Sequence, residues 1–170
     1  MKPLFNRVGA AAVVVIFLLT GCAVQTGSSG SNTSNALSWR GRLALQVEAN
    51  PPQTQAQYVA GGFELSGSPQ AGELTLFTPL GTTAAALSWS AQAAILRDAG
   101  GIRHFESLEA LISQTFGTEI PVLALFAWLA GDTMTAAGWR VDLSQYTSGR
   151  ITARRTQPAP MAELRLVLEQ

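Results

Sequence analysis

Few residues in this chain are able to make or break bonds. Of 170 residues, one is a cysteine, Cys22, and one is a histidine, His104. A single cysteine allows no intrachain disulfide. His104 lies between Arg103 and Phe105, beside Glu106 and Ser107, just ahead of a helical pattern. Acid–base or metal chemistry there would need a nucleophile or further ligands. There is no His-Glu-x-x-His, no Gly-x-Ser-x-Gly and no phosphate-cradling loop. His104 therefore reads as a solvated helix-entry residue, and Arg154-Arg155 as a surface charge pair at a strand end. The pattern argues against an enzyme, and no metal or dissociable cofactor is expected.

Two apolar stretches remain to be explained. In Ile120-Pro-Val-Leu-Ala-Leu-Phe-Ala-Trp-Leu-Ala-Gly131 no residue is charged. Pro121 suits a first helical turn, where its missing N–H has no intrahelical partner, and Gly131 suits a C-terminal stop. A helix that is apolar all round is buried on more than one side. At about ten residues it is too short to span a bilayer, which needs ~20. It is either a core helix or one wall of a cavity for something apolar. The second stretch is Thr78-Pro-Leu-Gly81, which interrupts two strand patterns. Pro79 and Gly81 are turn residues, so Leu80 falls at the tip of a β-connection, where polar residues are usual. Leu80 either folds back onto core or stands out as an apolar finger that touches a membrane or a partner.

The N-terminus reads as a leader. Lys2 and Arg7 make a basic start, Val8 to Leu19 an apolar run too short for a bilayer span, and Leu19-Thr20-Gly21-Cys22 resembles the bacterial lipobox. Residues 1–21 are expected to be a lipoprotein signal peptide, with a diacylglycerol and an N-acyl chain carried on Cys22. Residues 22–38, rich in Gly, Ser, Asn and Thr, read as a flexible tether. Ala23, directly after the cysteine, is not acidic, which by resemblance to enterobacterial lipoproteins favours the outer membrane. Loss of the leader removes the only lysine and leaves nine arginines against eleven acids. A near-neutral body without lysine argues against nucleic acid or an anionic surface as the main partner.

The body, 39–170, is of one-domain size. Period-two patterns run from Trp39 to Val47, Gln55 to Ser66, Glu73 to Thr78, Thr82 to Trp89 and Ala93 to Asp98, the last ending at Gly100-Gly101. Gly61-Gly62 suggests a bulge or tight bend. Leu108, Leu111, Ile112 and Phe116 then stand at helical spacing, with Ser107 as N-cap and Gly117 after the end. Beyond the Ile120–Gly131 helix, strands return at Trp139–Tyr146, Arg150–Arg155 and Glu163–Glu169. Five strands, two helices and three strands describe an α+β fold with an antiparallel sheet and its helices on one side. Such a sheet curls, and the apolar helix fits its concavity. Candidate cavity-lining residues are Leu43, Leu45, Phe63, Leu65, Leu74, Leu76, Leu125 and Trp128. Trp39, Trp89, Trp128 and Trp139 read as core or rim residues.

Leu76-Phe-Thr-Pro-Leu-Gly81, Ile120-Pro-Val with Trp128-Leu-Ala-Gly131, and the lipobox ending at Cys22 together resemble the LolB family. Gly41-Arg42 and Trp139-Arg-Val-Asp142 add to the match, which runs from about Trp39 to Gln170. The resemblance implies an incomplete antiparallel β-barrel whose concave opening is covered by helices around an apolar cavity. It implies an outer-membrane lipoprotein, facing the periplasm, that accepts acylated lipoprotein cargo from a LolA-like periplasmic carrier and inserts it into outer-membrane lipid. Within that resemblance Pro79, Leu80 and Gly81 match the membrane-insertion loop, and a monomer is expected. Two other readings stay open: a generic lipid- or hydrophobe-binding lipoprotein, and a non-catalytic scaffold in envelope assembly. A continuous apolar void of several hundred Å³ is expected of a binder and not of a scaffold.

Overall fold

The computed structural model describes residues 37–52 and 55–169. The expected signal peptide, Cys22 and the tether up to residue 36 lie outside them. Nine strands form one sheet: β1 Leu37–Val47, β2 Gln57–Gly67, β3 Gly72–Phe77, β4 Thr83–Trp89, β5 Ala94–Asp98, β6 Gly101–Phe105, β7 Trp139–Asp142, β8 Arg150–Arg155 and β9 Ala162–Leu168. Helices α1 (Leu108–Phe116) and α2 (Val122–Leu129) fall between β6 and β7. The order across the sheet is β6-β5-β4-β3-β2-β1-β9-β8-β7, with every pairing antiparallel. β6 and β7 are its two edges, so the sheet curves without closing, an α+β incomplete barrel.

Alternation sets which face is wet. Leu45, Val47, Phe63, Leu65, Leu87, Leu96, Leu164 and Leu166 are buried, while Arg42, Gln46, Glu64, Arg97 and Arg165 between them are exposed. Each such buried side chain contributes about 1.5–3 kcal/mol relative to exposure. The inner face is covered by the helices. α1 begins at Ser107, whose hydroxyl accepts from the Ala110 N–H at 3.1 Å, and ends at Gly117 in the left-handed region. α2 begins after Pro121, which takes the N-cap position, and its chain turns away through Gly131 at φ 86°.

Four local expectations need correction. The fifth strand ends ahead of Gly100-Gly101 as expected, but a further strand, β6, follows through a hairpin turn in which Asp98 accepts from the Gly100 N–H at 2.8 Å and pairs with Arg103. His104 lies in that strand, in register with Ile95, and not at a helix entry. The expected strand at Trp139–Tyr146 stops at Asp142, whose carboxylate takes the Ser144 N–H, and a single 3-10 turn at Tyr146–Ser148 follows. Gly61-Gly62 is no bulge, because β1 and β2 pair without a break from Leu37–Gly67 to Val47–Gln57. The irregularity is at Leu76/Phe77 on β3, and a Cβ on Gly61 would stand 2.1 Å from the Phe77 carbonyl oxygen. Glycine is what lets the two backbones approach where β3 bends away.

Of the Arg154-Arg155 pair, only Arg154 is a surface charge. Arg154 is exposed and pairs with Glu163 on the neighbouring strand, as a surface residue should. Arg155 is 6% exposed; its Nη1 donates to Thr118 Oγ1 at 2.8 Å and its Nη2 lies 3.9 Å from the Glu119 carboxylate. Thr118 itself is buried. A buried guanidinium requires such partners, and they come from the α1–α2 connection. Three more polar ties anchor the helices: Trp139 Nε1 on β7 to Glu119 O (3.2 Å), Tyr146 Oη beyond β7 to Leu129 O (3.0 Å), and Trp128 Nε1 to Met134 O (2.8 Å) in the loop after α2.

Candidate functional site: an apolar cavity and an exposed leucine

The space between α2 and the concave sheet face is a cavity of about 100 Å³. Nineteen side chains line it and every one is apolar. The sheet supplies Leu43, Leu45, Phe63, Leu65, Leu74 and Leu76 among others. α2 supplies Val122, Leu125, Phe126 and Leu129. Those four stand at i, i+3, i+4 and i+7, one stripe of a helix. Seven of the eight residues expected to line a cavity lie along it; Trp128 does not. One residue out of step with the stripe, its indole turns to the other side, 6.2 Å from the Trp139 ring, with its N–H on Met134 O. α2 is thus apolar all round because it is buried twice, against the cavity and against β7. Its third side is open, with Leu123 59% exposed. Val122, Phe126 and Leu129 line the cavity with Leu125, and Trp128, three residues from Leu125, does not.

The volume falls short of the several hundred Å³ expected of a binder. It is below the ~150 Å³ apolar cavity that holds a benzene molecule. A long acyl chain fits only if the helices shift from this position. Phe126 is the keystone, its ring edge-on to Trp39 at 5.5 Å and to Trp89 at 6.4 Å. No lining residue is ionisable, so nothing in the cavity senses pH or attracts charge. Asp98, Asp142 and Glu163, whose carboxyls are held below their usual range, all lie outside it. In each the main cause is a hydrogen bond to the carboxylate, from Arg103, Ser144 and Arg154 respectively. Among the described residues no cluster of His, Cys, Asp or Glu could hold a metal ion.

Leu80 is 92% exposed. Of the two alternatives for it, folding back onto core is the one the structure rejects. The loop around it is stiff: Thr78 N–H donates to Thr82 O (2.8 Å), Gly81 N–H to Thr78 O (2.9 Å), and the two threonine hydroxyls lie 2.8 Å apart. Gly81 takes φ 82°, a value that strains any residue with a Cβ. Pro79 and Gly81 are exposed with Leu80, so a large apolar side chain is held out into solvent by a braced turn.

The family model "Outer membrane lipoprotein LolB" matches residues 35–157. The chain belongs to the LolB family. It is 28% identical to the outer-membrane lipoprotein LolB of Bordetella petrii, over 90% of this chain and 87% of the relative. Against the protein of the same name from Azoarcus sp. BH72 it is 28% identical over 100% of this chain and 97% of the relative. A Neisseria meningitidis serogroup A relative, also named LolB, is 28% identical over 75% of this chain and 65% of its own length. The matched region holds both helices, the Leu80 loop and all of the cavity lining except Leu164 and Leu166 on β9. No helix among the described residues is long and apolar enough to cross a membrane.

Proposed function

We propose that this outer-membrane lipoprotein-localisation factor takes the acyl chains of lipoprotein cargo into the cavity beneath α2 and passes them to the outer membrane at the Leu80 loop. The observation that carries the reading is a cavity whose lining, drawn from both the sheet and the helix, is wholly apolar. Such a site favours hydrocarbon and offers no partner to a polar ligand. Cargo moves from one apolar site to another without nucleotide or metal, which makes this a transport factor and not an enzyme. Its donor is a carrier of LolA type that shields acyl chains in the periplasm. The receptor acts as a monomer, held to the membrane by the lipid on Cys22. Several acyl chains on one cysteine hold it stably, because each buried methylene contributes ~0.8 kcal/mol.

The family match favours this reading over an assembly scaffold, although the cavity is small at rest. Occupancy therefore requires the α1–α2 roof to lift, and polar contacts tie the roof on the β7–β8 side. A photoreactive residue in place of Leu125 tests the reading. It should crosslink to the acyl chain of a lipopeptide, and Leu125→Glu should lower lipopeptide affinity tenfold or more with an unchanged circular dichroism spectrum. A folded Leu125→Glu protein that binds normally would remove this cavity from the pathway.

A further inference from the structure

The outer face of the sheet carries a second concavity, where the loop leaves β3. It is an open groove of about 570 Å³ bordered by Thr78, Pro79 and Gly81 on the loop side, by Arg42 on β1, and at its other end by Arg40, Glu64 and Glu169. Register puts Arg42 opposite Gly62 and Gly62 opposite Phe77. Gly62 has no side chain, and Phe77 lies against that position, its Cδ2 3.6 Å from where a Cβ would stand. On its other flank Arg42 is opposite Val167, which is in turn opposite Arg150. Arg150 lies outside the groove, so the part of this row beside the loop holds Arg42 and no carboxylate. The groove's two acids lie two residues farther from the loop. There Arg40 stands between Glu64, its partner in register, and Glu169, whose N–H donates to Arg40 O at 2.9 Å. Arg42 makes no ion pair among the described residues.

An exposed, always-charged guanidinium presents a fork that matches two oxygens of a phosphate. We propose that Arg42 binds the phosphodiester of a membrane lipid headgroup in this groove while Leu80 meets the acyl boundary. The proposal rests on Leu80 being the membrane-contacting tip, and the dimensions agree with it. Leu80 is three positions after Phe77, so the foot of the loop lies within ~10 Å of the tip. The headgroup layer of one leaflet is roughly 5–7 Å deep. A tip at the hydrocarbon edge thus leaves the groove at headgroup level, within reach of the Arg42 side chain. Leucine alone offers one contact about which the body swivels. A second contact beside it fixes how the body faces the bilayer.

The test uses the full, lipid-anchored chain in vesicles of phosphatidylcholine and phosphatidylglycerol, with bimane on Leu80→Cys and nitroxide-labelled lipid as quencher. In this background the tip should be quenched. Adding Arg42→Gln should lower the inserted fraction about fivefold, the effect of one arginine near an anionic surface, and Arg42→Lys should recover part of it. The thermal midpoint should be unchanged in both, since Arg42 is exposed. A tip that is never quenched overturns the headgroup site together with the membrane-tip reading. Equal quenching with and without Arg42→Gln overturns the headgroup site alone. Inorganic phosphate at millimolar concentration that lowers insertion as far as Arg42→Gln does would make this a general anion site and overturn the assignment to lipid.

Discussion

Phe126→Ala should weaken the roof of the cavity and enlarge the cavity in one step. The phenyl ring is 7% exposed and sits edge-on to both Trp39 and Trp89. Truncating a buried phenylalanine costs ~3–5 kcal/mol. Two edge-to-face contacts, each about 0.5–1.5 kcal/mol beyond area burial, place this site at the upper end of that range. A loss near 4–5 kcal/mol is a large part of the roughly 5–15 kcal/mol by which domains are stable. If the space stays open, the cavity of about 100 Å³ grows past the ~150 Å³ that accommodates benzene. Urea unfolding of a chain lacking residues 1–36, followed by tryptophan fluorescence, reads the first effect. A rise in thermal midpoint with benzene, in the variant and not in the parent, reads the second. A cycle with Trp39→Ala should return a coupling of about 0.5–1.5 kcal/mol. A loss under ~1.5 kcal/mol, or an equal benzene response in both proteins, would mean that α2 is not packed on the sheet as described.

Two further expectations concern the ties around the site. Thr118→Val removes the hydroxyl that accepts from buried Arg155 and should cost about 1.5–3 kcal/mol, with Thr118→Ser restoring it; equal stability of the valine variant would place the arginine's partner elsewhere. Glu163 is held below the usual glutamate range, first by the hydrogen bond from Arg154, with Arg165 adding to it. A carboxyl depressed in the folded state contributes stability above its unfolded value of about 4.3 and loses it as pH falls through the lower folded value. Urea midpoints should therefore drop below about pH 4.3 in the parent and less steeply in Glu163→Gln, and parallel pH profiles would refute this.

What could be read from sequence was what local chemistry decides. Ser107 and Gly117 bound α1 because a side-chain cap and a left-handed glycine act within a single turn. The alternation of Leu43, Leu45 and Val47 sets the inward face of β1 in the same local way. β6 was hidden because Ile102, Arg103 and His104 all lie exposed at an edge and show no alternation. Arg155 read as a surface charge because its partner Thr118 lies 37 residues away, and nothing near it in sequence signals burial. Trp128 misled by its size. On a helix apolar on every side, neither hydrophobicity nor spacing says which face meets the cavity, and Trp128, three residues from Leu125, was as good a candidate as Val122. Cavity volume was out of reach altogether, since it depends on how nineteen side chains from two layers interlock.

Leu80→Glu gives the most direct test of delivery by the loop. The side chain is 92% exposed and touches neither cavity nor core, so the variant should fold and retain its anchor. Transfer of a labelled lipoprotein is followed in two steps, from purified carrier to receptor and from loaded receptor to liposomes. The first step should proceed at near-normal yield. The second should fail, because acyl chains that leave the cavity through water expose ~0.8 kcal/mol of surface per methylene. Loaded receptor should accumulate. Loss of the first step would make the loop a carrier-docking element, and normal rates in both steps would contradict the account.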